Sequence, residues 1–186
     1  MNQKIAEYSD EKGKTLKDKI RNKKDKENLE IAQFFLKSHI ITREGLKKIG
    51  VIRTNKLAHA EYAEWLVAKL FNAKVADNNV QEGYDVIYEK NNTTIKYEVK
   101  SRLVDSCDSY TAFHVKLGNE KFDHLACVFL TTTFDVLGVF TMTYEALQQV
   151  GTPDPPKTRI SLIWKKQNLK KYEPHIKWVW KVDDFS

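Results

Sequence analysis

Cysteine, proline, glycine and methionine are all scarce in this chain: two, four, seven and two among 186 residues. Cys107 and Cys127 have no metal-ligand spacing and no CxxC partner, so a disulfide framework and a zinc site are excluded and free thiols in a reducing compartment are expected. No apolar run approaches the ~20 residues that a transmembrane helix needs, so no membrane partner is expected. The opening stretch "MNQKIAEYSDEKGKTLKDKI" lacks the apolar core of a secretory signal, which leaves a cytoplasmic location as the expectation. Repeats, low-complexity segments, a Gly-rich phosphate loop and a nucleophile elbow are also missing. The single Pro/Gly-rich segment, "GTPDPP" at 151–156, reads as a surface loop.

What is present suits one domain able to bury a core without disulfides: 41% hydrophobic and 30% charged residues. The formal net charge of +6 leans towards polyanionic partners such as nucleic acid, although an excess of this size does not by itself identify one.

Residues 1–40 are dense in mixed charge and poor in Gly and Pro, which predicts helix. An apolar face emerges at "LEIAQFFLKSHI", where Leu29, Ala32, Phe35 and Leu36 follow helical spacing. "TREGLKKIG" reads as a separate short helix capped by Thr42 and stopped by Gly50. This N-terminal region serves solubility, DNA or a docked partner; composition does not separate the three. "NKLAHAEYAEWLVAKLFN", with Asn55 as cap, is apolar on almost every side and is expected to be buried. That makes Glu61 and Glu64 conspicuous: they are helical neighbours, and a buried carboxylate needs a metal, a hydrogen-bond network or a cation.

"GYDVIYEKNNTTIKYEVKSR" reads as a β-hairpin, followed by strands at "SYTAFHV", "LACVFLTT" and "FDVLGVFTM" and a helix at "TYEALQQV" capped by Thr143. The basic, aromatic tail ends in an alternating strand with Ile176, Trp178, Trp180 and Val182. Trp164, Trp178 and Trp180 have the chemistry to stack on bases, but the alternation favours packing. The order of elements predicts a mixed α/β or α+β domain, with a helical region at 1–50 and a core at 51–186.

In "IKYEVKSR" the strand period of two places Ile95, Tyr97 and Val99 on one face and Lys96, Glu98, Lys100 and Arg102 on the other. Asp85 opens the neighbouring strand, thirteen positions before Glu98, and an antiparallel hairpin brings the two acids together. Two converging carboxylates, with the Val99 carbonyl as a third oxygen, suit Mg²⁺, which prefers hard oxygen donors and keeps several waters. An adjacent ammonium, Lys100, suits phosphodiester hydrolysis, where it orients the attacking water. Glu64, and after it Glu61, is the carboxylate expected to complete the shell from the buried helix. His59 and Arg102 are secondary candidates, the first for the metal site and the second for a phosphate. His114 and Lys116 alternate on the next strand and are weaker phosphate candidates.

A helix Glu in "AEWLVAKLF", then Asp in "GYDVI", then Glu-x-Lys in "YEVKSR" resembles the PD-(D/E)XK nucleases, over about residues 50–145. Tyr84 stands where the motif's proline would be, a position that varies in that superfamily. The resemblance implies a restriction-endonuclease-like fold, a mixed sheet flanked by helices. It implies Mg²⁺ held by Asp85 and Glu98, water positioned by Lys100, the helix carboxylate role at Glu64, and products with 5′-phosphate and 3′-hydroxyl ends. Length and motif together resemble the small catalytic subunits of heterodimeric Type IIS restriction endonucleases. Such a subunit cuts one strand of double-stranded DNA beside a large, DNA-recognising nickase subunit. Two other readings stay open: a structure-selective repair or recombination nuclease acting on branched DNA, and a non-catalytic DNA- or partner-binding protein on the same fold.

Overall fold

Asn22 starts the longest helix by turning its side-chain oxygen back to accept the backbone N–H groups of Lys24 and Asp25 at 2.9 and 3.4 Å. In the computed structural model, which describes residues 15–48, 59–76, 83–106, 109–117, 122–156 and 158–183, a short helix α1 (Leu16–Lys19) precedes this long one, α2 (Lys23–Lys48). Thr42 does not cap a second helix, as the sequence suggested. Its hydroxyl donates to the Ser38 carbonyl at 2.9 Å, and the Ser38 hydroxyl likewise donates to Phe34, so both polar side chains are satisfied inside one continuous helix. Leu16, Ile20 and Leu29 are buried in the same hydrophobic cluster as the rest of the core. Ion pairs from Asp25 to Lys69 (3.1 Å) and from Lys37 to Asp135 (2.6 Å) bind α2 to residues beyond it. Phe35, expected on the buried face, is 64% exposed, and Ile31, Phe34 and Ile41 are more than half exposed beside it.

α3 (His59–Phe71) buries Tyr62, Ala63, Leu66, Val67 and Ala68, while Ala60 and Glu61 face solvent. It is therefore a helix laid on a sheet, with one wet side, and not a helix enclosed all round. Its expected cap, Asn55, lies outside the described residues, as do Gly50 and Cys107.

Among the described residues the principal sheet has six strands in the order β1 (Lys74–Val75), β2 (Val86–Lys90), β3 (Thr93–Leu103), β5 (His124–Leu130), β6 (Val136–Thr143) and β9 (Lys177–Lys181). All neighbours are antiparallel except β3 and β5. The parallel pair needs a crossover, and the crossover carries β4 (Thr111–Lys116) into a second, three-stranded sheet with β8 (Arg159–Trp164) and β7 (Thr152–Pro153). Helix α4 (Tyr144–Val150) starts as expected, with the Thr143 hydroxyl oxygen accepting from the Ala146 N–H. The tail adds a short helix, α5 (Leu169–Tyr172), before β9. The protein is thus a mixed α+β structure with a mixed sheet and flanking helices.

Register decides which face does what. Residues paired in register share a face, so Glu98, Lys100 and Arg102 line up with Leu125, Cys127 and Phe129. That face meets the second sheet: Phe113 and Trp164 pack on Phe129 and Phe140 with ring centroids 4.8–6.3 Å apart. The opposite face carries α3, with Phe71 stacked on Tyr97 at 4.8 Å. Trp164 and Trp180 are buried, and Trp178 joins the aromatic cluster, so these rings build the core.

Candidate active site

The β2–β3 hairpin is closed by Asn91 and Asn92, whose φ values of 49° and 61° make the tight left-handed turn that matches strand twist. At its other end β2 stops before β3 does: pairing runs only from Lys90↔Thr93 to Val86↔Tyr97. Beyond Tyr97 the edge of β3 has no strand neighbour on that side among the described residues, and Asp85 takes the neighbour's place. Its N–H donates to the Tyr97 carbonyl at 2.9 Å, and its side-chain oxygen accepts the Val99 N–H at 2.7 Å. In an extended strand the N–H and C=O of one residue point to the same edge. The Val99 carbonyl therefore emerges beside the Asp85 carboxylate. Gly83 supplies the bend, at φ 104°, that brings the chain to this position.

Glu98 and Lys100, two residues apart on β3, form an ion pair, and the Lys100 ammonium also lies 3.3 Å from the Val99 carbonyl. Burial raises the pKa of Glu98 against the opposing pull of Lys100, and the Asp85 charge raises it further. Glu64, on α3 across the sheet, lies within range of the same charges. Its pKa is pushed up to about 7, chiefly by burial and then by the charge of Asp85, with Lys100 pulling the other way and Glu61 and Glu98 adding to the rise. The charges of Asp85, Glu98 and Lys100 thus bear on Glu64, and those of Asp85 and Lys100 on Glu98, across three elements. Glu61 contributes only its field, from the solvent side of the helix.

The secondary candidates divide differently. His59 Nδ1 is 2.7 Å from the Ser101 hydroxyl, and burial, followed by the Arg102 charge, lowers its pKa. It fastens the start of α3 to β3. Arg102 donates from Nε to the Ala112 carbonyl at 2.6 Å and from Nη1 to the Ser101 carbonyl, with its guanidinium over the Phe113 ring, so it ties β3 to the second sheet. His114 pairs with Ser161 on that sheet at 2.8 Å, and Lys116 is exposed there. Two residues that sequence reasoning passed over belong to the surroundings. Ser101 anchors His59, and Cys127 stands in register with Lys100, its thiol kept neutral by burial despite two nearby cations. The first follows from the packing of α3 on β3 and the second from the parallel pairing of β3 with β5, neither of which sequence spacing encodes.

Among the described residues no group of three His, Cys, Asp or Glu side chains is close enough to cage a metal ion. Mg²⁺ does not need such a cage, because one or two carboxylates and several waters suffice. The donor set fits on that basis. Asp85, Glu98 and the Val99 carbonyl are hard oxygens near one edge, and burial, followed by the Asp85 charge, raises both Glu64 and Glu98, a cost that a divalent cation offsets. No protein-family model matches the chain, and no curated protein matches it at a significant level.

Proposed function

We propose that the chain is a Mg²⁺-dependent DNA endonuclease with a restriction-endonuclease-like fold, and that it works as the strand-cleaving small subunit of a heterodimeric Type IIS restriction enzyme. The observation that carries the hydrolytic part is the Asp85 carboxylate held on the Val99 N–H beside the Glu98–Lys100 pair, with Glu64 on α3 within range of their charges. A structural ion pair accounts for Glu98 with Lys100 alone. It does not account for two further carboxylates drawn from α3 and from the end of β2, whose crowding costs energy.

In this reading Asp85 and Glu98 hold the metal with the Val99 carbonyl, and Glu64 completes the shell directly or through a water. When bound, Mg²⁺ supplies Lewis-acid polarisation of the phosphoryl oxygen and lowers the pKa of a coordinated water. Lys100, fixed between Glu98 and the Val99 carbonyl, donates to the attacking water and holds it in line with phosphorus. Its charge also offsets the negative charge that gathers on the phosphoryl oxygens. Hydrolysis leaves a 5′-phosphate and a 3′-hydroxyl.

The partner half of the reading is supported by one feature: α2 exposes an apolar stripe, Ile31, Phe34, Phe35 and Ile41, of the kind that protein contacts cover. Plasmid nicking with Mg²⁺ tests the reading directly. Cutting, by the chain alone or with a DNA-recognising subunit added, is expected to vanish in Glu98→Ala and in Lys100→Ala while both variants keep a cooperative thermal transition. Full activity in either variant overturns the site assignment. Preferential cutting of a synthetic four-way junction over duplex would move the protein to the repair-nuclease class with the same residues.

A further inference from the structure

A cavity of about 440 Å³ opens at the other end of α3 from His59, between the α1–α2 junction, the last turn of α3 and strand β2. Along the helix axis Phe71 lies about 10 Å beyond Glu64, at ~1.5 Å per residue, so the cavity is separate from the carboxylate group. Its charged walls are Arg21, Asp25, Lys69 and Lys90, and its aromatic ones are Phe71 and Tyr88. Lys69 is paired with Asp25 at 3.1 Å. Arg21 and Lys90 make no ion pair among the described residues, and both are exposed at the rim. Among the described residues the cavity therefore carries two uncompensated positive charges. The first turn of α2 borders it as well and adds the positive end of a 26-residue helix dipole in the same place.

A volume within the ~300–1,000 Å³ range of ligand sites, cations on the rim and aromatic rings in the wall specify a ligand with two parts. One part is a compact anion, for which a guanidinium fork and an ammonium are suited. The other is flat and apolar enough to lie against a ring. We propose that this cavity binds a nucleoside phosphate, with the phosphate on Arg21 and Lys90 and the base against Tyr88 and Phe71. The ligand is either a free nucleotide or one unit of a nucleic-acid strand. The inference does not rest on hydrolysis at Glu98.

Calorimetric titration of the full chain in chelator, at low salt, separates the cases. The probes are deoxyadenosine 5′-monophosphate, inorganic phosphate and a single-stranded adenine tetranucleotide. The mononucleotide is expected to bind, and Arg21→Ala with Lys90→Ala to weaken it at least tenfold with no change in thermal midpoint, since both side chains are exposed. Tyr88→Leu is expected to weaken the mononucleotide by roughly tenfold, the order of one lost base–ring stack, and to leave inorganic phosphate unchanged. A tetranucleotide that binds much more tightly than the mononucleotide assigns the site to a strand; equal affinities assign it to a free nucleotide. Mononucleotide binding that is absent, or unchanged in the double variant, overturns the proposal. Equal affinities for phosphate and mononucleotide, with Tyr88→Leu silent, overturn its base-binding half. No hydrolysis takes place in chelator, so failure here leaves the nicking assay untouched, and failure there leaves this result standing.

Discussion

Glu64 is where burial and charge collide most directly. Its pKa, raised from an ordinary 4.5 to about 7, means that the folded protein binds this proton more tightly than the unfolded chain does. Metal-free stability is therefore greatest below about pH 4.5 as far as this group is concerned, and it declines as pH climbs towards 7. Glu98, also raised, works in the same direction. Glu64→Gln is expected to flatten the decline and to raise the metal-free Tm at pH 8 above that of the parent, as thermal melts in chelator across pH 4–8 would reveal. Mg²⁺ is expected to raise the parent's Tm at pH 8 and to do so less in the variant. A variant melting below the parent at pH 8 would mean that the Glu64 carboxylate is a needed hydrogen-bond acceptor and not a strained one. At this scale the sequence was readable wherever strand period two applied, which put Glu98 and Lys100 on one face. It was silent on Ser101 and Cys127, because their roles come from a neighbouring helix and from the parallel register with β5.

The hairpin β2–β3 was legible as an element because polar turn residues separate two runs rich in β-branched and aromatic side chains. Its turn is a stability test. Asn91 and Asn92 both sit at positive φ, where a β-branched side chain meets the following carbonyl. Asn92→Val is expected to cost about 1–2 kcal/mol, and Asn92→Gly close to nothing, in chemical denaturation. The α4–β7 junction, packed against β8, gives a second test, through space and not through φ. A Cβ added at Gly151 would lie 2.2 Å from Ile160 Cγ2 and 2.7 Å from the Leu147 carbonyl oxygen. The backbone there is extended, at φ −73°, so Gly151→Ala should destabilise by overpacking alone, by about 1–3 kcal/mol. Neither α2's length nor its exposed Phe35 could be read from local signals. Thr42 has the composition of a cap, but whether its hydroxyl turns to a free N–H or back to the Ser38 carbonyl depends on a helix already present upstream. Which apolar stripe faces inward depends on the ion pairs of Asp25 and Lys37 with residues far along the chain.

For the whole molecule the relevant field is a net charge of +6 that meets a local knot of carboxylates at the edge of β3. Under the proposed function the two would act in opposite senses on a DNA phosphate: the overall charge would draw it in, and the acids would repel it until a cation neutralised them. Removing one acid should therefore separate binding from cutting. In chelator, Glu98→Ala is expected to hold duplex DNA more tightly than the parent. A unit charge a few ångströms from a phosphate in a partly wet site changes binding by about 1 kcal/mol, or several-fold. With Mg²⁺ present the same variant is expected to bind and not cut. Both proteins should lose affinity on a log–log scale as salt rises, with a slope near −0.9 for each phosphate neutralised, and the variant's advantage should shrink as screening sets in. Filter binding over a salt series, run beside the nicking assay, measures all of this. If Glu98→Ala lost binding and cutting in step, the carboxylate would be holding the DNA-binding surface together, and the hydrolytic assignment would fall. If it cut normally while binding more tightly, the metal would have to be held without Glu98, and Asp85 with Glu64 would be the pair to substitute next.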